Sequence, residues 1–282
     1  MVPFVKMHGL GNDYVFVDLV AHDLPGVGED EFPVLSRAVS DRHRGVGSDG
    51  LILVLPPVQD GGPYRMRIFN ADGSEAEMCG NGVRCFAFYL HSRGYCRGPD
   101  CQVDTLAGPI HTRILHVEAV GGQPRWARVR VDMGPPRGWR ELAVPVAGRE
   151  FRMIAVSMGN PHAVIMDGWS EEDFPVYGPQ LERHPAFPQG TNVEFVRIRH
   201  PGDAGERGHL EVLVWERGSG PTQACGTGAC AAVVAAALQG RAARQARVSL
   251  PGGDLEVEWS AEGNVYMTGP AHEVCRGEFL WP

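Results

Sequence analysis

The segment YRMRIF, residues 64–69, places Tyr64, Met66 and Ile68 on one side of an extended chain and Arg65 and Arg67 on the other. That period of two predicts a half-buried strand, and LEVLVW at 210–215, largely apolar and rich in β-formers, predicts another. Each strand leads through a Gly-rich loop into Cys-Gly-x-Gly, once at Cys79 and once at Cys225. Apolar stretches of helical length follow, over 81–93 and 227–239. Gly94 and Gly240 then stand where a left-handed residue closes a helix. ACAAVVAAAL, in the second stretch, is apolar all round, so that helix is expected to be buried on every side.

The same pattern appearing twice points to an internal duplication. Cys79, Gly80, Gly82 and Gly94 fall on Cys225, Gly226, Gly228 and Gly240 at a constant displacement of 146 residues. GLGNDYVFVD at 9–18 resembles SMGNPHAVIMD at 157–167, with Asn12 opposite Asn160, and VDTLAGPI at 103–110 resembles VSLPGGDL at 248–255. VYMTGPA at 265–271 resembles VRVDMGPP at 129–136, and only seven residues precede HGLGN, so the first domain is expected to take its missing strand from the C-terminal tail. The expected fold is α+β: two pseudo-symmetric domains, each a mixed or antiparallel sheet wrapped around a central helix, with a cleft between them. Their spans are 1–123 with 272–282, and 124–271, joined at Gly121-Gly122-Gln123-Pro124.

Composition narrows the class. A chain of 282 residues, 43% hydrophobic, can fill two cores. It has neither an eighteen-residue apolar run nor a charged leader ahead of one, which predicts an untargeted cytoplasmic protein with no membrane partner. A net charge of −8 argues against nucleic acid. The seven cysteines contain no CxxC pair, and Cys96 and Cys101 have no histidine at ligand spacing, so neither a disulfide framework nor a metal site is expected. Lys6 is the only lysine, leaving one candidate for a pyridoxal Schiff base.

A thiol at the first turn of a helix sits beside unpaired N–H groups and the positive end of the macrodipole, which should lower its pKa. The same N–H groups can hold a carboxylate, and glycine lets a ligand approach closely. Two such ends facing one carbon offer a base on one face and an acid on the other, which is what inversion of a stereocentre requires. A clasped carboxylate would absorb the developing charge. Cys85 and Cys230, inside the helices, read instead as small apolar packing groups. Asp72, in NADGS, reads as a turn residue, and His162, in GNPH, either orients a thiol or satisfies the core.

FVKMHGLGNDYVFVD (4–18), DRHRGVGSDGLILV (41–54), RIFNADGSEAEMCGNGVRC (67–85), GNPHAV (159–164), TNVEF (191–195), WERGSGPTQACGTGACA (215–231) and YMTGPA (266–271) together resemble the diaminopimelate epimerases. The resemblance implies a cofactor-independent interconversion of LL- and meso-diaminopimelate in lysine synthesis, and a homodimer. It implies that Cys79 takes the proton of the LL substrate and Cys225 serves the opposite face. Gly80, Asn81, Gly226 and Thr227 would hold the reacting carboxylate. Asn12 and Glu216 would lie near the reacting amine, and Asn70, Asn160, Asn192 and Arg217 at the distal end. Five of the six asparagines fall in these motifs, and amides, which donate and accept, suit a substrate with two amino-acid ends. Gly50 stands where some members carry Gln, and Pro221 where an acidic residue is common.

Two other readings use the same cysteines. A proline or hydroxyproline racemase shares the paired-thiol logic, but Glu216, Arg217 and the asparagines would be surplus. A binding protein or thiol sensor would instead join Cys79 to Cys225 as a disulfide.

Overall fold

The computed structural model describes residues 1–24, 27–203 and 206–281; Pro25, Gly26, Ala204, Gly205 and Pro282, which the expected domain spans include, lie outside the described residues. The chain divides into two compact units, Met1–Val131 with Gly269–Pro282, and Asp132–Thr268.

The first unit contains β1 (Val2–Gly9), β2 (Asn12–Asp18), α1 (Phe32–Ser40), β3 (Gly50–Leu55), β4 (Tyr64–Asn70), β5 (Glu75–Ala76), α2 (Gly80–Ser92), β6 (Asp100–Thr105), β7 (Gly108–Val120) and β8 (Gln123–Asp132). Strands β2 and β3 are parallel with Tyr14 opposite Gly50, β3 and β4 antiparallel, β4 and β6 parallel, and β6 and β7 antiparallel. GLILVL in β3 shows no alternation because both of its faces are covered. Leu51 and Leu53 join Phe32, Leu35 and Val39 of α1 in one core cluster. Ile52, pointing the other way, lies so close to Gly82 of α2 that a Cβ there would be 2.9 Å from its Cδ1. Helix α2 is buried from Gly80 to Leu90, its Phe86 and Tyr89 rings resting 6.5 and 5.7 Å from Phe16.

The second unit repeats this order with β9 (Arg137–Val146), β10 (Arg149–Ser157), β11 (Pro161–Ile165), α3 (Asp173–Glu182), β12 (Asn192–His200), β13 (Gly208–Glu216), β14 (Gly220–Pro221), α4 (Gly226–Leu238), β15 (Gln245–Leu250), β16 (Gly253–Trp259) and β17 (Val265–Phe279). The pairing senses repeat as well: β11 with β12 parallel and His162 opposite Asn192, β12 with β13 antiparallel, β13 with β15 parallel, β15 with β16 antiparallel. Val193 and Phe195 of β12 face the cluster that includes Leu181 of α3, which turns Glu194 toward α4. Helix α4, alanine-rich and so a strong helix former, is buried from Gly226 to Ala236.

Strand β17 serves both units. Val265–Thr268 pair with β16, whereas His272 to Phe279 pair antiparallel with β1, as β9 pairs with β10.

Both buried helices begin and end one residue earlier than the sequence predicts, with Cys79 and Cys225 as their N-caps. Gly94 and Gly240 take the left-handed conformation, at φ +75° and +63°. Other expectations need correction. Gly121 and Gly122, both at positive φ, form the turn of the β7–β8 hairpin inside the first unit rather than a linker. Helices α1 and α3 cover the outer sheet faces and were not foreseen, both being short and α3 carrying Pro179 in its interior. Cys96 and Cys101 are disulfide-bonded, because the turn after α2 brings the start of β6 alongside, with their Cα atoms 6.0 Å apart.

Candidate active site

In the first unit the start of α2 meets the start of β2. Cys79 is half-buried, and its sulfur receives a hydrogen bond from Tyr14 Oη at 3.2 Å and lies 3.6 Å from Asn12 Oδ1. Two amides continue from there. Asn81 Nδ2 donates to Asn12 Oδ1 at 3.2 Å, and Asn12 Nδ2 donates to Asp49 Oδ2 at 2.8 Å. The far end is Arg84, fully buried, whose Nη2 donates to Asn81 Oδ1 at 2.8 Å and whose Nε donates to Pro270 O at 3.1 Å. A cation at one end and a carboxylate at the other thus fix which way both amides point. Arg42 joins Asp49 to Asp13, and Lys6 also pairs with Asp13, so the lone lysine is engaged in this network. Burial pushes the Asp13 carboxyl upward, but hydrogen bonds from Arg42 and Lys6 outweigh it and hold the group below the usual range.

In the second unit Cys225 is buried, its sulfur accepting from Gly228 N at 3.3 Å and lying 3.4 Å from Thr227 Oγ1. Asn160 Nδ2 donates to Thr227 Oγ1 at 3.3 Å, which turns Asn160 Oδ1 toward His162 Nε2 at 2.9 Å. On its other side, His162 Nδ1 meets Glu194 Oε1 at 2.6 Å, both side chains wholly buried. Burial first, then the charges of Glu216 and Glu194, push the Cys225 thiol well above its ordinary range, against hydrogen bonds from Thr227 and Gly228. The lowered pKa expected at a helix start is thus overturned for Cys225, since two carboxylates and the loss of water outweigh the helix end.

The structure brings Asn12, Gly80 and Asn81 to Cys79, and Asn160, Gly226 and Thr227 to Cys225. Glu216, accepting from Thr222 Oγ1 at 2.6 Å, is near enough to act on the Cys225 thiol by its charge. Asn192 sits one step away, donating to Pro161 O and accepting from Arg217 N at 2.9 Å, while the Arg217 side chain reaches Gln189 O. Asn70 is exposed and bonded to Ser74, in the turn where Asp72 accepts from Ser74 N and Oγ. At Gly50 a Cβ would lie 2.3 Å from Phe69 O, so the backbone here admits no side chain. Among the described residues no group of three or more His, Cys, Asp or Glu is arranged to hold a metal ion, and no helix is long and apolar enough to cross a membrane.

Tyr14, Arg84, Asp49 and Glu194 were not singled out from the sequence. For Tyr14 and Glu194 the signal lay in the duplication. Asn12 matches Asn160, so Tyr14 matches His162, and the strand registers pair these two with Gly50 and Asn192 respectively. Two residues further along each partner strand, Ile52 in one unit corresponds to Glu194 in the other. Equivalent positions therefore give one thiol a phenol neighbour and the other an imidazole–carboxylate pair nearby.

The family model described as diaminopimelate epimerase matches residues 4–139 and 154–274. A diaminopimelate epimerase of Moorella thermoacetica is 49% identical over 291 residues, covering 98% of this chain and 98% of its own. Solved structures share the fold at much lower identity. A predicted epimerase of Pseudomonas aeruginosa superposes with a TM-score of 0.70 at 15% identity over the whole of both chains. A hydroxyproline epimerase of Agrobacterium vitis, with trans-4-hydroxy-L-proline bound, gives a TM-score of 0.67 at 16% identity, covering 98% of this chain and 91% of that one. With the family model matched on both sides of its duplication and a relative near half-identical from end to end, the chain belongs to the diaminopimelate epimerase family of isomerases.

Proposed function

We propose that this protein interconverts LL-2,6-diaminopimelate and meso-diaminopimelate without a cofactor, using Cys79 and Cys225 as the two acid–base groups, in lysine synthesis. The observation that carries the proposal is that two equivalent thiols have unlike surroundings. Cys79 is half-buried and receives a hydroxyl donor, which suits a thiolate. Cys225, buried beside two carboxylates, keeps its proton and suits the acid. In the LL-to-meso direction the Cys79 sulfur takes the α-proton, and the electron pair left on carbon delocalises into the substrate carboxylate. The Cys225 S–H then delivers its proton to the opposite face, leaving Cys225 as the thiolate. The return reaction exchanges the two roles, and a thiolate with a raised pKa is the stronger base for it.

The N–H groups at Gly80, Asn81, Gly226 and Thr227 are assigned to the reacting carboxylate. Asn12 and Glu216 are assigned to the reacting amine, and Asn70, Asn160, Asn192 and Arg217 to the distal end. A homodimer is the proposed assembly.

Proton NMR of LL-diaminopimelate in heavy water tests the reading, using reduced protein with no added cofactor. Loss of the α-proton signal with appearance of the meso product, abolished by Cys79→Ala and by Cys225→Ala, is the expected result. Absence of exchange with the intact protein would overturn it, and proline in the same assay tests the racemase alternative.

A further inference from the structure

Cys79 has a partner that its counterpart lacks. Tyr14, on β2, is buried, and its hydroxyl reaches the Cys79 sulfur at 3.2 Å. It also bonds with Asn12, whose Oδ1 lies 3.6 Å from the same sulfur. The three groups differ in what they can do with a proton. Asn12 Oδ1 only accepts, so it favours the protonated thiol. The Tyr14 hydroxyl can donate to the sulfur, and such a bond is stronger to S⁻ than to SH because it is charge-assisted. Burial and the adjacent Cys79 hold the phenol well above its usual pKa, so Tyr14 keeps the proton it donates.

We propose that the Tyr14 hydroxyl is a catalytic hydrogen-bond donor that stabilises the Cys79 thiolate, and so fixes Cys79 as the base in the resting protein. This rests on the reading of Cys79 as an acid–base group and adds the group that sets its basicity. The hydroxyl donates to the sulfur, and the bond is strongest when Cys79 has lost its own proton. The duplication explains why the device is one-sided: the position equivalent to Tyr14 holds His162, which is committed to Asn160 and Glu194 rather than to Cys225. Among the described residues, titratable or charged groups about Cys79 include Asp49 beyond Asn12, and Arg84 and Cys85 on α2; a change at Tyr14 leaves all three in place.

Tyr14→Phe removes the hydroxyl and keeps the ring. The measurement is the rate of iodoacetamide alkylation of Cys79 against pH, read by peptide mass spectrometry, with exposed Cys275 as internal reference. The Cys79 midpoint is expected to rise by about one unit in the variant, the Cys275 midpoint staying put. The α-proton exchange rate near neutral pH should fall about tenfold through kcat, with KM little changed, and recover as pH rises. Coincident Cys79 midpoints in wild type and variant would overturn the proposal. Should the Phe variant fail to fold, Tyr14→Leu carries the same test. The midpoint needs no turnover, so a protein inactive on diaminopimelate would refute the proposed reaction while leaving the Tyr14–Cys79 result readable.

Discussion

Gly228→Ala puts a methyl group into the tightest corner of the second helix start. Its Cβ would lie 2.8 Å from Glu194 Oε1 and 3.3 Å from Cys225 Sγ. The carboxylate cannot easily retreat, because His162 Nδ1 holds Oε1 at 2.6 Å and both side chains are wholly buried. Relieving the contact needs a shift of about half an ångström, enough to weaken that bond, and loss of a buried hydrogen bond to a charged group costs about 2–3 kcal/mol. Alanine returns at most about 1 kcal/mol of helix propensity, so the net destabilisation should be about 1–2 kcal/mol. Gly82→Ala is the matched control, since its methyl would meet Ile52 Cδ1 at 2.9 Å, the mobile end of an aliphatic chain. It should stay within about 1 kcal/mol of wild type. Urea unfolding of both variants, compared at unchanged m, reads the difference. Proton exchange by Gly228→Ala should fall about 100-fold as the Cys225 sulfur is displaced. A Gly228→Ala protein as stable and active as wild type would show that Glu194 and Cys225 do not pack against this turn as described.

Arg84→Met should destabilise the protein by about 3 kcal/mol, because it removes the buried guanidinium bonds to Pro270 O, Gly80 O and Asn81 Oδ1; an unchanged melting temperature would contradict that account. Burial pushes the Cys85 thiol up to about 12 and also raises the Tyr89 phenol, to about 12, with the charge of Asp18 adding to it. Folded values above the unfolded ones mean that this stability is complete below about pH 9 and is lost as pH climbs toward about 12. Urea midpoints should therefore drop through that window, less steeply in Cys85→Val, and equal slopes in the two proteins would exclude the thiol. Thiol titration of the unfolded, unreduced protein should find the five free cysteines, and reduction should lower stability by about 2 kcal/mol, as expected for opening so short a loop. Seven titrating thiols before reduction would count against the Cys96–Cys101 bond.

Much of the fold was legible because the chain states it twice. The collinear matches about Cys79 and Cys225 located both buried helices to within a residue, and the borrowed tail was readable in VYMTGPA. The asparagines declared themselves by scarcity. The outer helices were harder to see: Phe32, Leu35 and Val39 make a stripe of little more than two turns, too short for periodicity to distinguish from a loop.

The sequence by itself determined local matters: where helices begin and stop, which positions carry thiols and amides, and that two similar units exist. These follow from backbone preferences and from repetition, both carried by neighbouring residues. Only the tertiary structure decided what each thiol experiences. Alternation along β12 says that Glu194 faces away from Val193 and Phe195, but not that α4 and Cys225 lie there. Nothing in GLGNDYVFVD shows that the tyrosine of β2 ends 3.2 Å from a sulfur 65 residues further on. Hydrogen bonding, desolvation and charge all depend on distances between segments remote in sequence, and those distances exist only once strand register and helix packing have been set.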